Sequence, residues 1–144
     1  MKIFKIIRKM VPLLAITLLL FSCKRDGAGS EGEIITDPFV GNWKLRIITV
    51  NGQSTEVTNI ACWKDTTMNV TANSAVFKLV FPNQQTGNCQ NEQYTYTWVK
   101  KNDGYYFTEN GQESLAPIKL LDNNQTLQLN LQTTQGAIIF SFRK

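Results

Sequence analysis

The 144-residue sequence contains no histidine. Histidine is the base of Ser-His-Asp and Cys-His catalytic arrangements and a frequent metal ligand, so these arrangements are excluded. The sequence also lacks a glycine-rich phosphate loop and an acidic cluster with metal-ligand spacing. Its 11 acidic residues are scattered, with no close pair suited to general acid and base catalysis. We therefore predict that the protein is not an enzyme and uses no metal and no cofactor.

The sequence has no excess of charge of either sign outside a short N-terminal segment. The 15 Lys and Arg residues and 11 Asp and Glu residues give a net charge of +4 and a pI near 9.0. Four of the basic residues (Lys2, Lys5, Arg8 and Lys9) lie within the first 22 positions, which hold no acidic residue. The other 11 basic residues balance the 11 acidic ones. Because the remainder of the chain is neutral, no nucleic acid is expected as a partner.

The apolar run at residues 11–21 is too short to cross a membrane, because a spanning helix needs about 20 apolar residues. Basic residues followed by a short apolar run are typical of a secretory signal peptide. The segment that follows, Leu20-Phe21-Ser22-Cys23, resembles the bacterial lipobox, in which a small residue precedes the cysteine that is cleaved and lipidated. We predict that residues 1–22 are a lipoprotein signal peptide and that Cys23 is the lipidated mature N-terminus. The alternative is a plain signal peptide followed by an incidental cysteine.

The residues after Cys23 indicate which membrane the lipid anchor enters. Lys24 and Arg25 stand where an Asp is associated with inner-membrane retention in some bacteria. We therefore expect a lipid anchor in the outer membrane of the cell envelope, facing either the periplasm or the exterior. Residues 23–36 contain the cysteine, three glycines and alternating charges, which indicates a flexible linker.

Two cysteines remain after Cys23. Cys62 and Cys89 form an even pair in a secreted protein, which favours a disulfide. The alternatives are a two-thiolate metal site, which lacks further ligands, and two buried free thiols.

Residues 37–144 are predicted to form one all-β domain, because apolar residues recur with a period of two and not 3.6. Trp43, Leu45, Ile47 and Thr49 share one predicted face of the first strand. Turn residues such as Asn51-Gly52 separate the strands. The spacing predicts an antiparallel meander that closes into a barrel or packs as a sandwich.

The sequence resembles the lipocalin-like domain family that many small lipoproteins of diderm bacteria carry. The matching features start at Gly41-Asn42-Trp43-Lys44-Leu45, run across residues 38–144 and are completed by the following segments: Val50-Asn51-Gly52, Cys62-Trp63-Lys64-Asp65, Gly87-Asn88-Cys89, Tyr96-Thr97-Trp98 and Leu127-Gln128-Leu129. The resemblance implies an up-and-down eight-stranded barrel in which Cys62 and Cys89 are the recurrent pair. It also implies that a basic residue of the last strand, here Arg143, packs across Trp43 and closes the barrel. A solvated Arg143 is the alternative.

An aromatic set is the candidate ligand site: Phe77, Phe81, Tyr94, Tyr96, Trp98 and Phe107. These rings either line a cup for a small apolar or carbohydrate-like ligand or simply fill the barrel. Tyr94 and Tyr96 are also compatible with an exterior stripe, since periodicity does not say which face is inside. Asp65-Thr66-Thr67 resembles an O-glycosylation signal, and a surface turn explains it equally well.

The sequence is compatible with two alternative functions. One is a membrane-anchored lipoprotein whose barrel binds a small apolar or carbohydrate-like ligand. The other is a packed barrel that acts as a protein-interaction or inhibitor module. A connected void of several hundred Å³ favours the first, and a solid interior with an exposed apolar patch favours the second. The sequence leaves the oligomeric state open.

Overall fold

The computed structural model of the protein describes residues 36–144, which form ten β-strands and one 3-10 turn, Trp63–Asp65. The strands are β1 Gly41–Val50, β2 Gln53–Glu56, β3 Thr67–Val70, β4 Ala75–Pro82, β5 Cys89–Lys101, β6 Gly104–Glu109, β7 Gln112–Glu113, β8 Lys119–Leu121, β9 Thr126–Thr133 and β10 Gly136–Arg143.

The strands form one curled antiparallel sheet, which confirms the all-β prediction. They lie side by side in the order β7-β6-β5-β4-β3-β1-β10-β9-β8, and β2 pairs with the end of β1. The first and last strands, β1 and β10, are therefore neighbours, as barrel closure requires. The strand count is ten and not eight. The excess arises because β2 and β3 both pair with β1, along its second and first halves, and because β7 and β8 have only two and three residues.

The two outer edges of the sheet meet at a single point. Tyr105 N donates to Ile118 O (2.9 Å), and Ile118 N donates to Tyr105 O (2.7 Å). These two hydrogen bonds join β6 to the residue before β8. They close the barrel near one end and leave the edges unjoined toward the other.

A β-bulge in β1 corrects the predicted inner face of this strand. Leu45 pairs with Phe142 and Ile47 with Ser141, so that Arg46 is an extra residue without a partner across the ladder. A bulge shifts the alternation by one residue. Ile48, opposite the buried Phe140, therefore points inward, and Ile47 lies on the outer face with 38% of its surface exposed.

Residues 57–66 form an excursion between β2 and β3, opposite this bulge. Its ends are held to β1 by Val57 N, which donates to Arg46 O (2.8 Å), and by Leu45 N, which donates to Thr66 O (3.1 Å). A disulfide joins Cys62 in the excursion to Cys89 at the start of β5, with Cα atoms 5.2 Å apart. The predicted disulfide is therefore confirmed.

Thr66 in the same excursion is fully buried. Its hydroxyl donates to Val80 O (3.1 Å) and accepts from Val80 N (2.9 Å), which ties the excursion to β4. A buried hydroxyl with both hydrogen bonds made inside the protein is neither a surface turn nor accessible for glycosylation, so both interpretations of Asp65-Thr66-Thr67 are wrong for Thr66.

The closed end of the barrel comprises Phe39, Trp43, Tyr105 and Ile118, each at most 5% exposed. Phe39 lies in the turn before β1 and stacks on Tyr105, with ring centroids 4.3 Å apart. The indole nitrogen of Trp43 donates to Phe39 O (2.9 Å). Residues 36–40 thus act as a plug that fills this end.

Asp37 anchors the plug by three contacts. Its Oδ1 accepts from Phe39 N (3.0 Å) and from the Tyr105 hydroxyl (2.7 Å), and its Oδ2 pairs with Lys100 Nζ (2.9 Å). Desolvation raises the pKa of Asp37, but the two hydrogen bonds and Lys100 together outweigh it, so the pKa lies below its ordinary value.

The cation over the Trp43 ring is Lys144 and not Arg143. Lys144 Nζ lies 4.8 Å from the ring centroid and also donates to Pro38 O (2.8 Å). Arg143 pairs across the ladder with Lys44, the neighbour of Trp43, and therefore lies on the outer face, where its guanidinium is 3.9 Å from Asp122. The expected Arg143–Trp43 contact fails because the strand alternation places the two side chains on opposite faces.

The predictions for residues 1–22 and for Cys23 lie outside the described residues. Among residues 36–144, no helix is long and apolar enough to cross a bilayer.

Candidate functional site

A cleft opens in the barrel wall beside β9. Strand β8 pairs with Thr126, Leu127 and Gln128 only, whereas β9 continues to Thr133. Across the gap, β7 pairs with β6 through two residues, and Ser114 N donates to Phe107 O (2.9 Å) before the chain turns away. Residues 129–132 and 112–116 thus form the two sides of a space that no strand of residues 36–144 fills.

The cleft has a volume of about 340 Å³. Four apolar or aromatic side chains form its floor: Tyr96, Phe107, Leu129 and Leu131. Polar side chains, among them Glu109, Gln112 and Glu113, surround the mouth. Ligand pockets commonly combine an apolar lining with a few polar groups in a volume of roughly 300–1,000 Å³, and the cleft has this character.

Strand alternation explains why these side chains meet. In β6, Tyr105, Phe107 and Glu109 point to the inner face, and the first lies in the closed end. In β9, Leu129 and Leu131 face inward opposite Phe140 and Ile138 of β10. The inward-facing positions of β6 and β9 therefore continue from the packed core into the cleft without a break. The cleft arises because β8 does not extend along this part of β9.

A row of aromatic rings runs along the inner face into the cleft. Successive centroids are 6.3 Å apart from Phe77 to Tyr94, 6.3 Å from Tyr94 to Tyr96, and 4.7 Å from Tyr96 to Phe107. Phe77 is buried and Tyr94 is 39% exposed. The row thus leads from the core toward the open part of the barrel, with the Tyr96–Phe107 pair at the cleft.

Comparison with protein families decides the classification. The profile of a family described as "lipocalin-like domain" matches residues 39–129, which is more than half of the chain. The chain belongs to the lipocalin-like domain family. Comparisons with curated proteins and with solved structures found no significant match.

This lipocalin-like domain brings most of the predicted aromatic set together. Phe77, Phe81, Tyr94, Tyr96 and Phe107 lie on one inner face, which excludes an exterior stripe for the two tyrosines. Only Tyr96 and Phe107 line the cleft itself. Phe81 lies instead against Trp63 of the excursion, with centroids 6.4 Å apart.

Trp98 departs from the prediction. Its ring packs edge-on against Phe39 at 5.1 Å and against Tyr105 at 5.7 Å, and its indole nitrogen donates to Thr71 O (2.9 Å). Trp98 is therefore part of the packing around the closed end and not of the ligand site. The alternation alone could not distinguish it from Tyr96, because both face inward from β5.

Ten of the twelve residues that line the cleft were not predicted from the sequence, among them Glu109, Leu115, Leu129 and Leu131. The alternation of Leu129 and Leu131 with Gln128 and Asn130 predicts that the two leucines share a face. The sequence does not indicate that β8 ends before it reaches them. Leu115 is 94% exposed at the rim, a value far above that of the other exposed large apolar side chains. It lies in the irregular segment after β7, where periodicity carries no information.

The electrostatics of this region are dominated by carboxylates near tyrosines. A hydrogen bond to Glu92 is the main cause that raises the pKa of Tyr94. Burial, and then the charge of Glu109, raises the pKa of Tyr96. Glu113 at the cleft mouth is ion-paired with Lys101. The tyrosines are therefore neutral near pH 7, and the charge at the cleft comes from the carboxylates.

Two other recesses lie on the surface of residues 36–144. One is lined mainly by polar residues around Lys44, Lys64 and Lys78, and the other lies between residues 100–105 and 119–124 beside the closed end. The second recess includes Pro38, Tyr105, Leu120 and Leu121, but three lysines also line it, whereas no lysine or arginine lines the cleft. Within residues 36–144, no three side chains of the Cys, Asp or Glu type come together as a metal site.

Proposed function

We propose that this lipocalin-like domain binds a small apolar ligand in the cleft between β9 and residues 112–116. The observation that carries the proposal is the connected space of about 340 Å³ with Phe107, Leu129 and Leu131 in its floor. An engineered cavity of about 150 Å³ holds benzene. The cleft therefore has room for a ligand of two or three rings or for an alkyl chain. A carbohydrate-like ligand is the less favoured form, since the floor is mainly apolar.

A fluorescence titration with the neutral apolar probe N-phenyl-1-naphthylamine tests this proposal. We expect a saturable, blue-shifted emission with wild-type protein. Leu131→Trp places a larger ring in the cleft and should weaken probe binding about tenfold or more, equivalent to about 1.4 kcal/mol. Ile47→Trp is the matched control, because Ile47 is equally exposed (38%) but lies on the outer face. Absence of saturable binding, or equal loss in both folded variants, would contradict the proposal.

One observation favours the second candidate, a protein-interaction module. Leu115 projects almost completely into solvent beside the cleft, where its apolar side chain is accessible to a partner protein. If Leu115 serves a partner only, Leu115→Ser leaves probe binding unchanged. If it covers the bound ligand, Leu115→Ser weakens probe binding.

We further propose that the protein acts by binding and not by catalysis. The absence of histidine from the sequence supports this, as does the ion pair that occupies Glu113, one of the two carboxylates at the cleft. No nucleic acid partner is proposed, because residues 23–144 are neutral in side-chain charge.

The lipid anchor is a separate proposal and rests on the sequence. We propose that Cys23 carries the lipid, that residues 23–36 link it to the domain at 37–144, and that the anchor lies in the outer membrane. Metabolic labelling with a fatty acid and membrane fractionation test it. Wild-type protein should be labelled and sediment with the outer membrane. A Cys23→Ser variant that still incorporates fatty acid would contradict the proposal.

A further inference from the structure

We propose that the cleft selects an amphipathic cation, that is, a molecule with one amine or quaternary ammonium group and an apolar body. This inference rests on the proposed function and specifies the chemistry of its ligand. The observation behind it is the charge distribution of the cleft, in which the carboxylate of Glu109 lies beside the apolar floor with no partner cation among residues 36–144.

The residues that line the cleft include two carboxylates and no lysine or arginine. The first carboxylate, Glu113, forms an ion pair with Lys101 and is neutralised by it. The second, Glu109, has no ion pair or side-chain hydrogen bond within residues 36–144. The cleft therefore carries one uncompensated negative charge at its mouth.

The position of Glu109 connects this charge to the apolar floor. Glu109 shares the inner face of β6 with Phe107. The last pair in the ladder between β5 and β6 is Thr97 opposite Thr108. If the ladder is continued by one residue, Tyr96 lies opposite Glu109. The charge of Glu109 raises the pKa of Tyr96, second to burial, which agrees with this proximity.

A cation held by Glu109 would therefore lie next to two aromatic rings. The Tyr96 and Phe107 rings stack on each other, with centroids 4.7 Å apart and planes inclined by 12°, so that a cation can meet only the outward face or the edge of each ring. Aromatic rings attract cations through their negative faces, and quaternary ammonium groups are bound in this way. The same ring pair leads to Leu129 and Leu131, which would contact the apolar body of the ligand.

An anion is disfavoured by the same geometry. An anionic head group would meet the negative charge of Glu109 and the negative ring faces, with no cation in the lining to offset them. The cleft should therefore discriminate between ligands that have the same chain and opposite head groups.

Displacement of N-phenyl-1-naphthylamine by three ten-carbon amphiphiles tests the inference: decyltrimethylammonium, decyl sulfate and decanol. The two ionic compounds are used below the concentration at which they form micelles, and decanol is used below its solubility limit. We expect the ammonium to displace the probe at a concentration about tenfold lower than the sulfate, with decanol between them. Glu109→Gln should reduce the difference between ammonium and sulfate to about threefold or less. Glu56→Gln, the same charge change on β2 away from the cleft, is the control and should retain the full preference.

The outcomes separate the two proposals. If the probe binds and the wild-type protein shows no preference for the ammonium, the cation inference is wrong and the apolar site stands. The inference also fails if Glu109→Gln and Glu56→Gln reduce the preference equally. If the probe does not bind to the wild-type protein at all, the proposed function fails and the inference falls with it.

Discussion

The closed end and the cleft are built from the same strands and differ in whether the edges of the sheet are joined by hydrogen bonds. β6 contributes Tyr105 to the closed end and Phe107 to the cleft, two residues apart on one face. At Tyr105 the barrel edge is joined by the pair of hydrogen bonds to Ile118, and the plug containing Phe39 fills the interior. At Phe107 the corresponding edge of β9 has no neighbouring strand among residues 36–144, and a space remains. This comparison shows that edge pairing, and not the type of side chain on the strand, decides which part of the inner face is available to a ligand.

The largest expected effect is on stability at the closed end. Trp43 is fully buried and donates its indole hydrogen to Phe39 O. Trp43→Ala should lower the free energy of unfolding by about 3–5 kcal/mol, through lost burial and a residual cavity. Leu131→Ala in the cleft should lower it by less than about 1 kcal/mol, because Leu131 is already 38% exposed. Urea denaturation of both variants measures the contrast, and equal losses would remove the distinction between the two regions.

The disulfide should stabilise the barrel without contributing to the cleft. Cys62 and Cys89 are separated by 27 positions, and closing a loop of this length stabilises by roughly 3–4 kcal/mol in the chain-entropy model. The double variant Cys62→Ala, Cys89→Ala should lose about that free energy. Since neither cysteine lines the cleft, affinity for N-phenyl-1-naphthylamine should stay within about twofold of wild type at a temperature where the variant is folded. A collapse of affinity in the folded variant would show that the excursion shapes the cleft.

The plug should respond to acid through Asp37. Because its pKa is lowered from the ordinary value of 3.8 in the folded protein, the ionised form stabilises the fold. That contribution is fully present above pH 3.8 and is lost as the pH falls through the lower, folded-state pKa. Asp37→Asn should therefore reduce the stability at pH 7 by about 1 kcal/mol. The difference from wild type should vanish in strong acid. A difference that stays constant as the pH falls from 7 through the acid range, measured by thermal unfolding, would argue against this role.

The smallest effect concerns the two basic residues at the C-terminus. Lys144→Ala should lower the stability by about 0.5 to 1 kcal/mol, since its ammonium lies over Trp43. Arg143→Ala should have less effect, because its contact with Asp122 is long and exposed. If Arg143→Ala has the larger effect on the melting temperature, the assignment of Lys144 to the closed end is wrong.

Particular residues show how far the sequence predicts this fold. Alternation identified the strands and the residues that share a face within each strand, because side chains of a strand must point to opposite faces, but it left open which face is the inner one. It misassigned Ile47, since a one-residue bulge at Arg46 has no marker in the local sequence. The family resemblance pointed to Arg143 for the contact with Trp43, although strict alternation along β10 places Arg143 on the outer face.

The cleft was harder to predict than the strands. Its existence depends on the early end of β8 at Leu121 and on the two-residue length of β7, and both are properties of pairing between distant segments. Leu129 is nearly buried and Leu131 is 38% exposed, yet both occupy equivalent positions in the alternation. Sequence patterning therefore predicted which residues share a face, whereas the inner face and the unfilled part of it follow from tertiary structure.

The most direct test of the account is a map of amide chemical shifts on addition of saturating N-phenyl-1-naphthylamine to the isotopically labelled domain. We predict that the largest changes cluster at residues 107–115 and 129–132, on the two sides of the cleft. Amides of Phe39, Trp43 and Tyr105 in the closed end should change little. Changes centred on the closed end, or spread evenly over the barrel, would contradict the assignment of the cleft as the ligand site.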